Sequence, residues 1–281
     1  MRTKEEVLAE VEVIMAKYVT PNVAQHGGQI NVLDFAEDTG FLHTQLSGSC
    51  SGCASSTETL KLGVENTLMH FIPEELDNYV VNHSEDEPEL LRELTRETYQ
   101  KILQPRMLSG HYQGRLLSMI SKLTHPKTIL ELGTFTGYAT LCLAEGLQDS
   151  GTIHTIDINE ELVDFQRKYF DASKYGSQIH QYLGKAGDII PTFDITFDLV
   201  FIDADKANYV NYFNLIVDKM NSGGIIISDN VLWHGKVLKS LNDKDTATKT
   251  LLEYNTLLKE DPRVETVLLP IRDGLSISRK K

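Results

Sequence analysis

From Thr128 onward, short apolar runs alternate with longer amphipathic stretches. The runs are TILEL (Thr128 to Leu132), GTIHTID (Gly151 to Asp157), QIHQYLGK (Gln178 to Lys185), FDLVFIDA (Phe197 to Ala204) and GGIIISD (Gly223 to Asp229). Apolar runs of this length, spaced by helical stretches, predict buried parallel strands in a doubly wound α/β sheet. VETVLLPI and GLSISRK, joined by the turn Arg272 to Gly274, predict a terminal antiparallel hairpin that brings the mostly parallel sheet to seven strands.

Nearer the N-terminus the pattern is different. Thr3 is a fit N-cap for a helix from Lys4 to about Tyr18, with Val7, Val11 and Ile14 or Met15 on one face and Pro21 as its stop. QINVLDF and FLHTQLS alternate apolar with polar positions and flank AEDTG, which predicts a hairpin. The stretch Ser84 to Ile102 predicts an amphipathic helix with Leu90, Leu91, Leu94 and Tyr99 facing the core, and Met107 to Ile120 a glycine loop leading into another. The pattern thus passes from a small α+β part to an α/β part.

Composition narrows the function. A chain of 281 residues with 41% hydrophobic content can bury one full core and a small second one. Its net charge of −13 argues against nucleic acid or an anionic membrane as partner. No apolar run approaches the ~20 residues of a membrane span, and the charged N-terminus is unlike a signal peptide, so the cytoplasm is the expected location.

Candidate chemistry gathers at strand ends. In LELGTFTGY, Gly133 and Gly137 let the backbone approach a ligand where a strand turns into a helix beginning near Thr136. Asp157 ends the next strand, about 20 residues further on, where a carboxylate accepts ribose hydroxyls. Asp203 with Asp205, then Asp229 with Asn230, end two more strands. Ligands of an open α/β sheet bind at such ends, although strand-end Asp residues also cap helices. Oxygen donors alone select a hard cation such as Mg²⁺, Mn²⁺ or Ca²⁺. Lys206 beside them is the candidate general base, since a neighbouring divalent cation disfavours its charged form. Trp233, His234 and Lys236 follow the last of these strands, where substrate loops belong.

The chain has three cysteines, too few for a disulfide framework. Cys142 falls in an apolar helix and reads as packing, whereas Cys50 and Cys53 form a C-x-x-C ahead of a helix start at Ser55 or Ser56. Zinc, redox, iron–sulfur and plain dimerisation roles are all open to that pair.

HGGQINVLDF and LSGSCSGCASSTETLKLGVE, with their spacing, resemble the C-terminal domain of NifU-type iron–sulfur scaffold proteins over Val7 to Pro73. The resemblance implies an iron–sulfur cluster shared by two copies of Cys50 and Cys53 across a homodimer, because a cluster takes about four thiolates. From about Phe71 onward, MLSGHYQG, LELGTFTGY, IDINEE, GKAGDIIP, FIDADKANY, SDNVLWHGKV and DGLSISRK resemble the cation-dependent class I S-adenosylmethionine O-methyltransferases of the catechol and caffeoyl-coenzyme A type. That resemblance implies that Glu131, Gly133, Phe135, Asp157 and Asp203 hold S-adenosylmethionine, with Met107 and Ser109 at its methionine end and Gly184 and Ala186 at its adenine. Ala139 stands where many members place a hydroxyl near the cofactor carboxylate. Asp203, Asp229 and Asn230 would bind Mg²⁺ or another hard divalent cation, Lys206 would be the base, and the acceptor would be a small hydroxylated molecule. Together the two resemblances imply a scaffold-like domain at residues 1–73 and a methyltransferase domain at residues 74–281. The alternative is an iron–sulfur carrier whose second half is a binding platform. A dehydrogenase ranks third, because the glycine turn lacks G-x-G-x-x-G.

Overall fold

The computed structural model describes residues 4–25, 28–36, 41–48, 79–239 and 245–281. The chain divides into two compact units, Met1–His83 and Ser84–Lys281.

In the first unit, helix α1 (Lys4–Ile14) runs through a π-helical stretch, Met15–Val19, into α2 (Thr20–Gln25). Val11, Ile14, Met15, Val19 and Val23 are buried together against Ile30 and Val32. Pro21, expected to end the helix, sits instead in the first turn of α2. The Thr20 N–H reaches back to the Met15 carbonyl in the wider π turn, so the helical path continues past the proline. Strands β1 (Gly28–Ala36) and β2 (Phe41–Gly48) pair antiparallel, as the alternation predicts, and the register shifts at a bulge between Val32 and Asp34 that it does not. Thr3, most of AEDTG and the C-x-x-C segment with Cys50 and Cys53 lie outside the described residues, as does the Val7 side chain.

The second unit is built on seven strands: β3 (Thr128–Leu132), β4 (Thr152–Asp157), β5 (Ile179–Leu183), β6 (Phe197–Ile202), β7 (Met220–Asp229), β8 (Val264–Leu269) and β9 (Leu275–Lys280). Their order is β5-β4-β3-β6-β7-β9-β8, parallel except for β9, which runs antiparallel to both β7 and β8. This is the predicted doubly wound sheet. Successive strand residues point to opposite faces, so Leu130 and Leu132 enter one apolar layer with Ile202, Phe213 and Tyr254. Ile129 enters the other, with Leu94, Leu117, Phe170 and Phe201. Both faces are covered by buried apolar side chains, and each fully buried large one contributes roughly 1.5 to 3 kcal/mol.

Helices α3 (Glu89–Lys101), α4 (Gly110–Thr124), α5 (Tyr138–Ala144), α6 (Val163–Ala172), α7 (Ala186–Ile189), α8 (Tyr209–Ile216) and α9 (Thr246–Glu260) cover the sheet. Along α3 the buried positions are Leu91, Leu94 and Thr98, whereas Tyr99 is 61% exposed. One residue turns a helix by about 100°, which carries Tyr99 off the face that Thr98 occupies. Among the described residues no helix is long and apolar enough to cross a membrane. Strand order reverses between β3 and β6, the point where an open α/β sheet leaves a crevice at its C-terminal edge.

Candidate active site

The crevice begins at the turn after β3. Asp203 N–H bonds the Leu132 carbonyl at 2.8 Å, and Gly133, with φ +94°, lies so close to β6 that a Cβ there would sit 1.9 Å from the Asp203 carbonyl oxygen. Phe135 also adopts a positive φ, and its N–H donates to Asp157 Oδ2 at 2.8 Å. Asp157 Oδ1 accepts from Asn159 N at 2.9 Å, so backbone donors aim this carboxylate along the crevice wall. Gly137 (φ +87°) closes a turn onto the Thr134 carbonyl, and α5 therefore starts at Tyr138, later than its expected start near Thr136.

Glu131 lies beneath this turn. It is fully buried, its Oε2 accepts from the hydroxyls of Thr140 and Thr155, and its Oε1 has no partner among the described residues. Burial, reinforced by Asp157 and Asp203 nearby, pushes its carboxyl up to about 8 against the two hydroxyl donors.

On the other side, β6 and β7 end in Asp203 and Asp229. Lys206 Nζ donates to Asp203 Oδ1 at 2.9 Å and to Tyr209 Oη at 2.7 Å, and that phenol donates to the Asp229 carbonyl at 2.9 Å. Asp229 is buried, and burial together with repulsion from Asp203 raises its carboxyl to about 6. Gln113 Nε2 (2.7 Å, to Oδ2) and Asn230 N–H (2.7 Å, to Oδ1) oppose that shift. Among the described residues no three His, Cys, Asp or Glu side chains gather as a metal cage, so a cation here would have two carboxylates and an amide from the protein.

These elements border one cleft of about 1220 Å³. Of the residues singled out from the sequence, Met107, Gly133, Phe135, Asp157, Gly184, Ala186, Asp203, Lys206, Asp229 and Asn230 line it. Ser109, Glu131 and Ala139 do not. Ser109 is buried with its carbonyl turned to Arg272, Glu131 points under the turn, and Ala139 packs into the α5 core. Trp233 and His234 line the cleft, whereas Lys236 lies over the Trp233 ring at 5.5 Å. Cys142 is fully buried, as packing requires.

Sequence reading missed Arg272, Asp273, Tyr209 and Gln113. Arg272 and Asp273 line the cleft from a turn that the sequence marks only as a hairpin connection. Gln113 sits inside a helix, where no periodicity distinguishes a buried amide.

The fold and cleft define a doubly wound α/β protein with its site at the switch point. The O-methyltransferase family model matches residues 81–281, and a NifU-like domain matches residues 11–77. The caffeoyl-CoA O-methyltransferase of Petroselinum crispum is 34% identical over 208 residues, which cover 69% of this chain and 85% of that protein. Among solved structures, the SAH-bound methyltransferase PaMTH1 of Podospora anserina is similar at a TM-score of 0.68 and 28% identity, over 75% of this chain and 95% of that one. The O-methyltransferase of Bacillus cereus in complex with SAH is similar at 0.69 and 26%, over 74% and 97%. The chain belongs to the O-methyltransferase family.

Proposed function

We propose that residues 74–281 transfer the methyl group of S-adenosylmethionine to one hydroxyl of a catechol-like or vicinal diol small molecule, with a hard divalent cation such as Mg²⁺ at Asp203, Asp229 and Asn230. The observation that carries this reading is one cleft bordered by the glycine turn with Asp157 on one side and by Asp203, Asp229, Asn230 and Lys206 on the other. The donor set fits a hard cation: it is oxygen only, and it holds two carboxylates close enough to repel each other. When bound, the cation supplies Lewis-acid chemistry that acidifies the acceptor hydroxyl, and the cofactor supplies an electrophilic methyl group.

The protein's part is binding, orientation and one proton. Asp157 accepts the ribose hydroxyls, Gly133 and Phe135 let the nucleoside lie against the backbone, Gly184 and Ala186 flank the adenine, and Met107 covers the methionine end. Lys206 Nζ takes the hydroxyl proton, held in place by Asp203 Oδ1 and Tyr209 Oη. Trp233 walls the acceptor side. Ser109, Glu131 and Ala139 brace these walls from behind. Most of the rate then comes from positioning oxygen and methyl in line.

For residues 1–73 we propose a NifU-like half-site in which Cys50 and Cys53 supply two of about four thiolates, so that a homodimer shares one iron–sulfur cluster. The NifU-like match over residues 11–77, which spans both cysteines, supports this. Anaerobic absorbance of the purified protein separates the methyltransferase reading from that of an iron–sulfur carrier alone. The direct test of the enzyme is calorimetric titration of S-adenosylmethionine with and without Mg²⁺, paired with methyl transfer to a catechol. Cofactor binding without metal and loss of transfer in excess chelator are expected, and undiminished transfer in chelator sinks the cation.

A further inference from the structure

We infer that Gln113 and Arg272 form a relay that holds the Asp229 carboxylate in its cation-binding position and ties it to the segment 103–109 bordering the cleft. The inference rests on the reading of Asp229 as a cation ligand.

Gln113 is 1% exposed, so its amide has no water to fall back on. Its Nε2 donates to Asp229 Oδ2 at 2.7 Å, and its Oε1 accepts from Arg272 Nη1 at 3.2 Å. A guanidinium only donates and a carboxylate only accepts, so the amide fits between them one way round. Asp229 Oδ1 is fixed in turn by the Asn230 N–H at 2.7 Å. Each carboxylate oxygen therefore has one set donor and keeps further lone-pair capacity for a cation. A leucine in place of Gln113 would leave the Asp229 carboxylate held by the Asn230 N–H alone and would break its tie to Arg272.

Arg272 extends the relay. The same guanidinium donates to the carbonyls of Leu108 (3.3 Å) and Ser109, which lead into α4. Leu103, Gln104, Arg106 and Met107 of that lead-in line the cleft, and Leu103 is 89% exposed. The turn that carries Arg272 also holds the loop after β7: Val231 N–H bonds the Gly274 carbonyl (3.1 Å) and Leu232 N–H the Asp273 carbonyl (2.9 Å). Arg272 itself has φ +49°, a left-handed conformation that side chains rarely adopt unless surrounding bonds impose it. The guanidinium thus ties α4 and its lead-in to a turn whose backbone holds the loop after β7, two hydrogen bonds away from a cation-binding oxygen.

A buried amide that merely fills space would not tune a metal site, whereas partners of ligating carboxylates typically govern metal affinity by 10- to 100-fold. The test is a Mn²⁺ titration of the full chain, read as free-ion EPR signal without acceptor, beside cofactor titration and melting. Gln113→Leu is expected to raise the Mn²⁺ Kd by about 10- to 100-fold while cofactor affinity stays within a few fold. Arg272→Lys keeps the charge but loses the fork, and is expected to act in the same direction. Because the two groups work in series, the double variant should be no worse than Gln113→Leu alone. If Gln113→Leu does not fold, Arg272→Lys carries the test, since its side chain borders the open cleft. An unchanged Mn²⁺ Kd in either folded variant, or a fully additive double variant, overturns the relay. Failure of the cation reading is separate and visible: wild type would then bind no more Mn²⁺ than Asp229→Ala, and the relay would fall with it.

Discussion

Glu131→Gln should stabilise the ligand-free second unit near neutral pH, and the size of the effect follows from where Glu131 lies. Its carboxyl ordinarily titrates at 4.5 and is pushed up to about 8 in the folded chain, chiefly by burial. A raised carboxyl means that the folded state holds a proton the unfolded state has released. Stability is therefore full below pH 4.5 and declines by about 1.4 kcal/mol per pH unit as the pH rises toward 8. The deficit reaches about 2 kcal/mol at pH 6 and about 3 kcal/mol at pH 7. A carboxamide in place of the carboxyl cannot ionise. Its oxygen can accept from the Thr140 and Thr155 hydroxyls as Glu131 Oε2 does now, and its nitrogen falls where Oε1 already lacks a partner. The substitution thus removes the pH penalty while leaving the local hydrogen bonding nearly as it was. Urea unfolding at pH 5, 6, 7 and 8 measures it, read by Trp233, the single tryptophan of the chain and a member of this unit. The variant should gain on wild type steadily with pH. Equal stability at pH 7, with the same pH slope in both chains, would refute the assignment of a protonated, buried Glu131.

Other expectations follow from single contacts. Gly133→Ala would drive a Cβ to within 1.9 Å of the Asp203 carbonyl at a positive φ, so a loss of about 2 to 5 kcal/mol is expected in the same unfolding assay; a loss under about 1 kcal/mol would show that the β3 and β6 ends can part. Asp157→Ala should weaken S-adenosylmethionine binding by about 1.5 to 3 kcal/mol in calorimetry, and an unchanged dissociation constant would count against its ribose role. Asp229→Ala is expected to abolish methyl transfer in the activity assay while largely sparing cofactor affinity in calorimetry, since its carboxylate is turned to Gln113 and the Asn230 N–H. Cys50→Ser should lose any iron reconstituted anaerobically and leave methyl transfer intact; full iron content in that variant would exclude the shared cluster.

Much of this architecture was legible in the order of residues. Apolar β-branched runs with helical stretches between them can bury both faces only as a parallel sheet, and the alternating VETVLLPI and GLSISRK around a turn could only form its antiparallel edge. The strand-end positions of Asp157, Asp203, Asp229 and Asn230 were readable for the same reason: a strand's C-terminal end is a local property of the pattern, and the sheet brings such ends together whatever else the chain does. Helix limits were less legible. Pro21 and the α5 start depended on turn geometry, a π stretch in one case and the left-handed Gly137 in the other, which the composition of a window does not encode.

What only the tertiary structure decided is the surroundings of each group. Glu131 sits one residue from the glycine turn, yet its pleat position sends it beneath the cleft rather than into it, and burial there favours its neutral, protonated form near neutral pH. Ser109 and Ala139 lie close in sequence to cleft residues and still face the core. Gln113 and Asp229 are 116 positions apart, and Gln113 and Arg272 are 159 apart. Spacing along a strand or helix is local and survives in the sequence; a hydrogen bond between distant segments exists only once the sheet has closed, because packing and not periodicity selects its partners.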